Sequence, residues 1–432
     1  MTKKIIINAT IITMNSNNTL IENGAIGIEN GKIMYVGENI EDTSNYDEVY
    51  DAKGNYVLPG LINTHGHIPM SLLRGFADDL PLQQWLETKM WPLEGQYTKE
   101  HTKWGAHLSI VEMLKTGTTT FVDMYDNMDV VADAVDVSGM RARLCRGMIG
   151  LATEEVQQQK LTEAAKFVRD WHGKADGRIT TMMSPHSAYT CPPKFIEKIV
   201  EQAKLLNVPI HTHMSETLYE VEFNLKTYGH RPVKHLENLG VFDCPTLVAH
   251  AVHVNEEELD ILAKYDVKVS HNIISNLKLG SGVAPLPKML EKGIIVSLGT
   301  DSSASNNNLD LFEELKQVAI LHKGIQNDAT LIPATTALEM ATIAGAKSLW
   351  LEDQTGSIEV GKEADIIILN TKQVFFQPSH DPVSHVVYSA SGRDVKDVFI
   401  QGKQVVKNGE CLTVDEEKVI FEANRMFSKF SI

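Results

Sequence analysis

The sequence predicts an α/β protein: a (β/α)8 TIM-like barrel carrying a small β-sandwich-like domain built from both chain ends. Three observations predict it. Strand-like and helical stretches alternate through the middle of the chain, both ends are rich in short β-runs and tight turns, and metal-binding residue types stand where several central strands finish.

The 432 residues are 43% hydrophobic and 22% charged, ordinary for a soluble globular protein with one large domain and a smaller one. Acidic residues number 56 against 40 basic ones, a net charge of −16. So acidic a surface argues against a nucleic-acid backbone as partner. The four cysteines (Cys145, Cys191, Cys244 and Cys411) form no C-x-x-C pair, which is simplest in a reduced compartment. The apolar run Ile5-Ile6-Ile7 stops at Asn8, too short for a signal peptide, and no segment approaches a membrane span. A cytoplasmic protein is expected, with neither membrane nor nucleic acid as partner.

Residues 1–57 read as short strands. Ile5-Ile6-Ile7 and Ile11-Ile12 precede Glu29-Asn30-Gly31-Lys32, and Asn-Gly between β-rich runs is a hairpin signal. The texture returns in residues 355–432, in Asp365-Ile366-Ile367-Ile368-Leu369 and Val398-Phe399-Ile400-Gln401-Gly402-Lys403; from Asp415 to Phe430 the spacing is helical. These two ends are expected to share one small β domain. Residues 58–354 supply the barrel, with strands near 61–67, 118–123, 141–146, 179–184, 208–213, 246–250, 267–271 and 294–299. Helical stretches such as 101–115, 193–206, 256–264 and 309–322 lie between them. Eight such units over about 290 residues match the usual size of a (β/α)8 barrel. A doubly wound open sheet is disfavoured, because no G-x-G-x-x-G follows the first strand.

Active-site groups in such barrels sit at the C-terminal ends of the strands. His65, His67, His186, His213, His250, His271 and Asp301 all fall at or just beyond those ends. A single buried histidine is usually a hydrogen-bonded core residue. Two of them two residues apart on one strand face the same side, so His65 and His67 reach one ion together. His213 and Asp301 arrive from later strands, and three imidazoles with a carboxylate suit zinc with a position left for water.

Asp301 in Gly299-Thr300-Asp301-Ser302 has an ordinary role as a turn cap; beside a metal it also accepts a proton from water. Glu216, three residues after His213, is by default a solvated helix-start charge, and next to a metal it shuttles protons. His250 is assigned an electrostatic and proton-transfer role. His211, one step deeper than His213, reads as a structural interior residue. Trp85 and Glu94 follow the first strand, where a packing tryptophan and a solvated glutamate are the default; a substrate loop there changes both.

The chain resembles the amidohydrolase superfamily and, within it, the 5-methylthioadenosine/S-adenosylhomocysteine deaminases. The similarity runs nearly end to end, from Asn63-Thr64-His65 through Ser270-His271-Asn272 and Ser275-Asn276-Leu277-Lys278-Leu279 to Gly299-Thr300-Asp301. More specific are Leu72-Leu73-Arg74-Gly75-Phe76-Ala77-Asp78-Asp79-Leu80, the Trp85-to-Glu94 spacing, Ser184-Pro185-His186-Ser187 and Ser305-Asn306-Asn307-Asn308-Leu309-Asp310. The resemblance implies Zn2+ on His65, His67, His213 and Asp301, with Fe2+ or Mn2+ as competitors. It implies an adenine nucleoside as small-molecule partner, contacted by Glu94 at the ribose, by Arg146 and His186, and by Glu216 at the purine, with Trp85 as a wall. Lys160 stands near where relatives often have arginine. Relatives that hold two ions bridge them with a carbamylated lysine at the end of the fourth strand; here Met182-Met183-Ser184-Pro185-His186 offers none, so one metal per subunit is expected. Gly66 replaces a frequent threonine and Ile273 a frequent proline. Homo-oligomers are common among relatives, and the sequence carries no decisive interface signal.

The implied reaction is hydrolytic deamination of the adenine in S-adenosylhomocysteine, 5′-methylthioadenosine or adenosine. Deaminases or dechlorinases acting on guanine, a triazine or another aromatic ring share the metal set, and Glu94 separates them because it matters only when the substrate carries a ribose. A non-catalytic scaffold would be expected to lose ligands, and this chain keeps all four together with Glu216 and His250.

Overall fold

The structure is a computed structural model and describes residues 2–431. Among these, two parallel sheets form the barrel. One contains Leu61–Asn63, Thr118–Tyr125, Arg141–Met148 and a broken strand, Ile179–Thr181 with Ser184–Pro185; the other contains Ile210–Met214, Thr246–His250, Lys268–His271 and Val296–Leu298. Parallel bridges from Met183 to Ile210 and from Ser187 to His213 join the sheets on one side. On the other, Thr64 N–H donates to Leu298 O (2.9 Å) and Asp301 N–H to His65 O (3.1 Å), closing the ring. Strands and helices alternate as expected: the strands are buried, and several of the helices carry side-chain caps. Helix Glu256–Lys264, for example, starts in a reciprocal box between Asn255 and Glu258.

The chain ends build a nine-stranded sheet in the order Glu410–Cys411, Lys403–Lys407, Val395–Ile400, Ile366–Leu369, Tyr56–Pro59, Lys3–Ile12, Leu20–Glu29 and Lys32–Glu38, with Glu48–Asp51 also on Lys3–Ile12. The Asn-Gly hairpin forms where the sequence places it. Asn30 (φ 52°) and Gly31 (φ 82°) both take left-handed backbone, and Glu29 pairs with Lys32. Ile6, Ile11, Ile26, Ile28, Ile366 and Ile368 bury their side chains in one apolar cluster of this sheet. The sheet runs on to Pro59, past the boundary expected at residue 57. Helix Glu416–Phe427 packs on the barrel helix Lys99–Lys115 and on the turn Ile68–Leu73. No helix among the described residues is long and apolar enough to cross a membrane.

Arg141 and Asp365 join the two units. Arg141 Nε lies 3.0 Å from Asp365 Oδ2 with both side chains buried, and Asp365 Oδ1 accepts Gln401 N–H (2.8 Å). Removing one partner of a buried pair leaves the other charge uncompensated, so Arg141→Ala is expected to destabilise the fold by about 3–5 kcal/mol in denaturant unfolding. A loss no larger than that of an exposed ion pair, below about 1 kcal/mol, would contradict this placement.

Candidate metal centre and active-site pocket

His65 and His67 follow directly on the first barrel strand, His213 lies in the fifth, and Asp301 follows the eighth. The strand order therefore brings them together. His65 Nε2 and His67 Nε2 lie 3.5 and 3.4 Å from Asp301 Oδ1, and His67 Nε2 lies 3.2 Å from His213 Nε2. Gly299 is required by this closeness: a Cβ there would lie 2.9 Å from His65 N and 2.6 Å from Ser270 Oγ.

Hydrogen bonds on the far side of each ring assign the tautomers. A carbonyl only accepts, so His67 Nδ1 carries its proton and donates to Met124 O (2.6 Å), and His213 Nδ1 donates to His186 O (2.7 Å). His211 Nδ1 donates to Leu247 O (2.9 Å), which leaves its Nε2 to accept from His65 Nδ1 (2.9 Å). Burial holds His65 and His213 well below the usual imidazole range, so they stay neutral and their Nε2 atoms are bare lone pairs. These face each other, His67 Nε2 and a carboxylate oxygen. His65 Nε2 is buried with no protein partner. A cation is what these groups lack, and the donor set fits a divalent metal. The nitrogens of His65, His67 and His213 cluster within 4.8 Å, as do ligand atoms of His65, His250 and Asp301.

Asp301 is held by three donors: Ser275 Oγ (2.6 Å) and Ser305 Oγ (3.1 Å) to Oδ2, and Ser302 N–H (2.8 Å) to Oδ1. Its φ of 60° and that of His250 (76°) are left-handed, a strained backbone at two strand ends that aims both side chains inward. Ser302 serves the local turn, its Oγ accepting Ser305 N–H (3.1 Å).

A single pocket opens over this centre, lined by His67, His213 and Asp301 and by Trp85, Glu94, Arg146, His186, Glu216 and His250. Glu216 Oε2 is 3.7 Å from His250 Nε2, and His250 Nδ1 donates to Asn276 Oδ1 (2.8 Å). Burial first, and the negative Asp301 second, push the Glu216 carboxyl well above its ordinary value, which favours its protonated form. Glu94 accepts the Tyr125 hydroxyl (2.7 Å) and is raised by burial. Trp85 donates from Nε1 to Ala77 O (3.0 Å) and forms wall. The Arg146 guanidinium pairs with Asp126 (3.1 Å) and Glu163, and Lys160, also on the pocket, donates to Ile149 O (2.9 Å). His186 is held near pKa 3 by burial, with Nδ1 at Thr190 Oγ1 (3.0 Å).

His253 and His271, to which the sequence assigns no role, lie outside the pocket lining. His253 Nε2 donates to Ser281 O (2.7 Å), and His271 is buried behind the site with neither ring nitrogen partnered in the protein. Sequence reasoning missed Tyr125, Asn276, Ser275 and Glu220. The buried Glu220 accepts Glu216 N–H (2.9 Å), and burial raises its pKa to about 7. Each acts through a contact between elements distant in sequence or across one turn, and no spacing signals it.

Three imidazoles and a carboxylate at the C-terminal rim of a parallel barrel define a metal-dependent hydrolase. The comparisons agree: a sequence profile of the amidohydrolase family matches residues 56–405. A 5-methylthioadenosine/S-adenosylhomocysteine deaminase of Halalkalibacterium halodurans is 50% identical over 98% of each chain. An adenosine deaminase from Xanthomonas campestris, solved with bound zinc, superposes with a TM-score of 0.93 at 33% identity over 99% of this chain and 98% of that one. An atrazine chlorohydrolase from Arthrobacter aurescens TC1 complexed with zinc gives 0.91 at 25% identity over 98% and 100%. The chain belongs to the amidohydrolase family and, within it, to the family of 5-methylthioadenosine/S-adenosylhomocysteine deaminases.

Because His211 alone fixes the His65 tautomer, His211→Phe should weaken metal binding about 10- to 100-fold, read by competition with a chelator. Unchanged affinity would show that the His65–His211 bond orients nothing.

Proposed function

We propose that this protein is a zinc-dependent hydrolase that deaminates the adenine of S-adenosylhomocysteine or 5′-methylthioadenosine, with adenosine as a third substrate, releasing ammonia and leaving hypoxanthine. The observation that carries this is the Glu216 carboxyl, raised by burial and set beside His250 over the His65/His67/His213/Asp301 centre. A neutral carboxyl at that place is a proton donor for a ring nitrogen, which distinguishes deamination of a heterocycle from simple amide hydrolysis.

His65, His67, His213 and Asp301 would hold the metal, and zinc there would supply a nucleophilic water at neutral pH by lowering its pKa to about 7. As the water oxygen bonds to carbon 6, Glu216 gives its proton to ring nitrogen 1, and Asp301 takes the proton the water gives up. Asp301 then delivers that proton to the amino group, the C6–N bond breaks and ammonia leaves. The remaining hydroxyl proton returns to Glu216 as the C6 carbonyl forms, which restores both carboxyls. His250 stabilises the charge that develops on the attacking side. Glu94 takes the ribose hydroxyls, His186 and Arg146 contact the substrate, and Trp85 walls the pocket. A cytoplasmic setting fits the four unpaired cysteines.

An ultraviolet assay of the three nucleosides and free adenine, side by side on purified protein, tests the substrate. Turnover of a nucleoside well above that of adenine is expected, and comparable rates would overturn the choice. Glu216→Gln should keep its metal and lose roughly 10²- to 10⁴-fold in kcat, the range of a general-acid contribution. Retained turnover in that variant would remove Glu216 from the mechanism.

A further inference from the structure

Glu94 does not sit on a barrel strand. The segment that carries it, from Leu82 to Glu94, is a string of short helical turns without sheet support. Its brace comes from the other end of the chain. Val419, Ala423 and Met426 of helix Glu416–Phe427, with Phe430 beyond it, are buried in one apolar cluster with Trp85, Met90 and Leu93. Polar contacts fix the register of this packing. Lys115 pairs with Glu416 (2.6 Å), Arg425 and Lys429 pair with Glu100 (2.7 and 3.0 Å), and Ser431 N–H donates to Gln96 Oε1 (2.9 Å).

Phe430 is the tip of this brace. Its ring stacks on His101 (centroids 4.9 Å, planes 28° apart) and on Tyr97 (5.5 Å, 23°). Tyr97 lies 6.0 Å from Tyr125, whose hydroxyl is the donor to Glu94 Oε1 at 2.7 Å. Tyr97 also anchors Glu94 through the backbone, donating its N–H to Glu94 O (3.0 Å), and its hydroxyl donates to Pro69 O (3.2 Å). Glu94, Tyr97 and Tyr125 line the pocket and Phe430 does not. Phe430 therefore reaches the substrate only through other residues, and Tyr97, stacked on its ring and bonded to Glu94 O, is the one that leads to Glu94.

We propose that Phe430, just beyond the C-terminal helix, is a positioning residue that sets the Glu94 carboxylate for the substrate sugar through Tyr97, on which it stacks, and the adjoining tilted ring of Tyr125. This rests on the assignment of Glu94 to the ribose. Loss of the ring frees Tyr97 and Tyr125 to shift, and Glu94 loses both its hydroxyl donor and its backbone anchor, while the metal ligands on the barrel strands are untouched.

Steady-state kinetics with 5′-methylthioadenosine and metal analysis on the full chain test it. Phe430→Ala should raise KM roughly tenfold with kcat within about twofold, the pattern of lost ground-state binding, and metal content should stay that of the parent. Phe430→Tyr keeps a ring in place and should restore KM to within about twofold. A merely structural role lowers thermal stability and leaves KM unmoved, and that result overturns the proposal. Where Phe430→Ala fails to fold, Phe430→Leu removes the stacking ring and keeps the helix docked; a KM rise there supports the proposal and an unchanged KM overturns it. Glu94→Gln separates the two assignments. An unchanged KM in that variant removes Glu94 from the ribose, whereas a raised KM beside an unaffected Phe430→Ala removes only the relay.

Discussion

Three imidazole nitrogens and a carboxylate oxygen are turned toward one buried space, and a cation standing between them is what that arrangement fits. That constraint organises the molecule. The lone pairs are turned there by groups that only accept protons: the carbonyls of Met124 and His186 for His67 and His213, and the Leu247 carbonyl acting through His211 for His65. Each of these partners lies on or beside a neighbouring barrel strand, so closing the barrel is also what selects the tautomers. The left-handed backbone at His250 and Asp301 belongs to the same account, because strained residues persist only where the surroundings over-determine them.

The floor and the wall of the pocket are built by different physics. The floor is parallel strands and buried hydrogen bonds, in which desolvation keeps histidines neutral and holds the Glu216 carboxyl up. The wall is a run of short turns whose shape depends on aromatic packing against a helix from the far end of the sequence. In the proposed reaction, chemistry at the purine resides on the rigid scaffold and sugar recognition on a braced loop, the arrangement by which barrels vary substrate while keeping a reaction.

Much of this was legible in the residues. Six of the eight barrel strands carried metal-binding types at their ends, and the Asn30-Gly31 turn and the isoleucine runs pointed to a sheet shared by both chain ends. The absence of lysine in Met182-Met183-Ser184-Pro185-His186 was readable too, although the break in that strand at Met182 and Met183 was not, since it reflects hand-over of hydrogen bonds from Leu144 to Pro209. Sequence continuity assigned the C-terminal helix to the small domain, yet its buried face is spent on the barrel helix Lys99–Lys115. An amphipathic stripe shows that a partner exists and not which one. Tyr125 and Glu220 were silent for a similar reason: a hydrogen bond across thirty residues, or back across one turn, leaves no periodicity to read.

The most direct test is anomalous diffraction, at the metal absorption edge, from crystals of protein purified without added metal. One peak bonded to His65, His67, His213 and Asp301, lost with activity on chelation and regained with it on adding zinc, is the predicted result. No peak among these four side chains in an active preparation would contradict the account at its root.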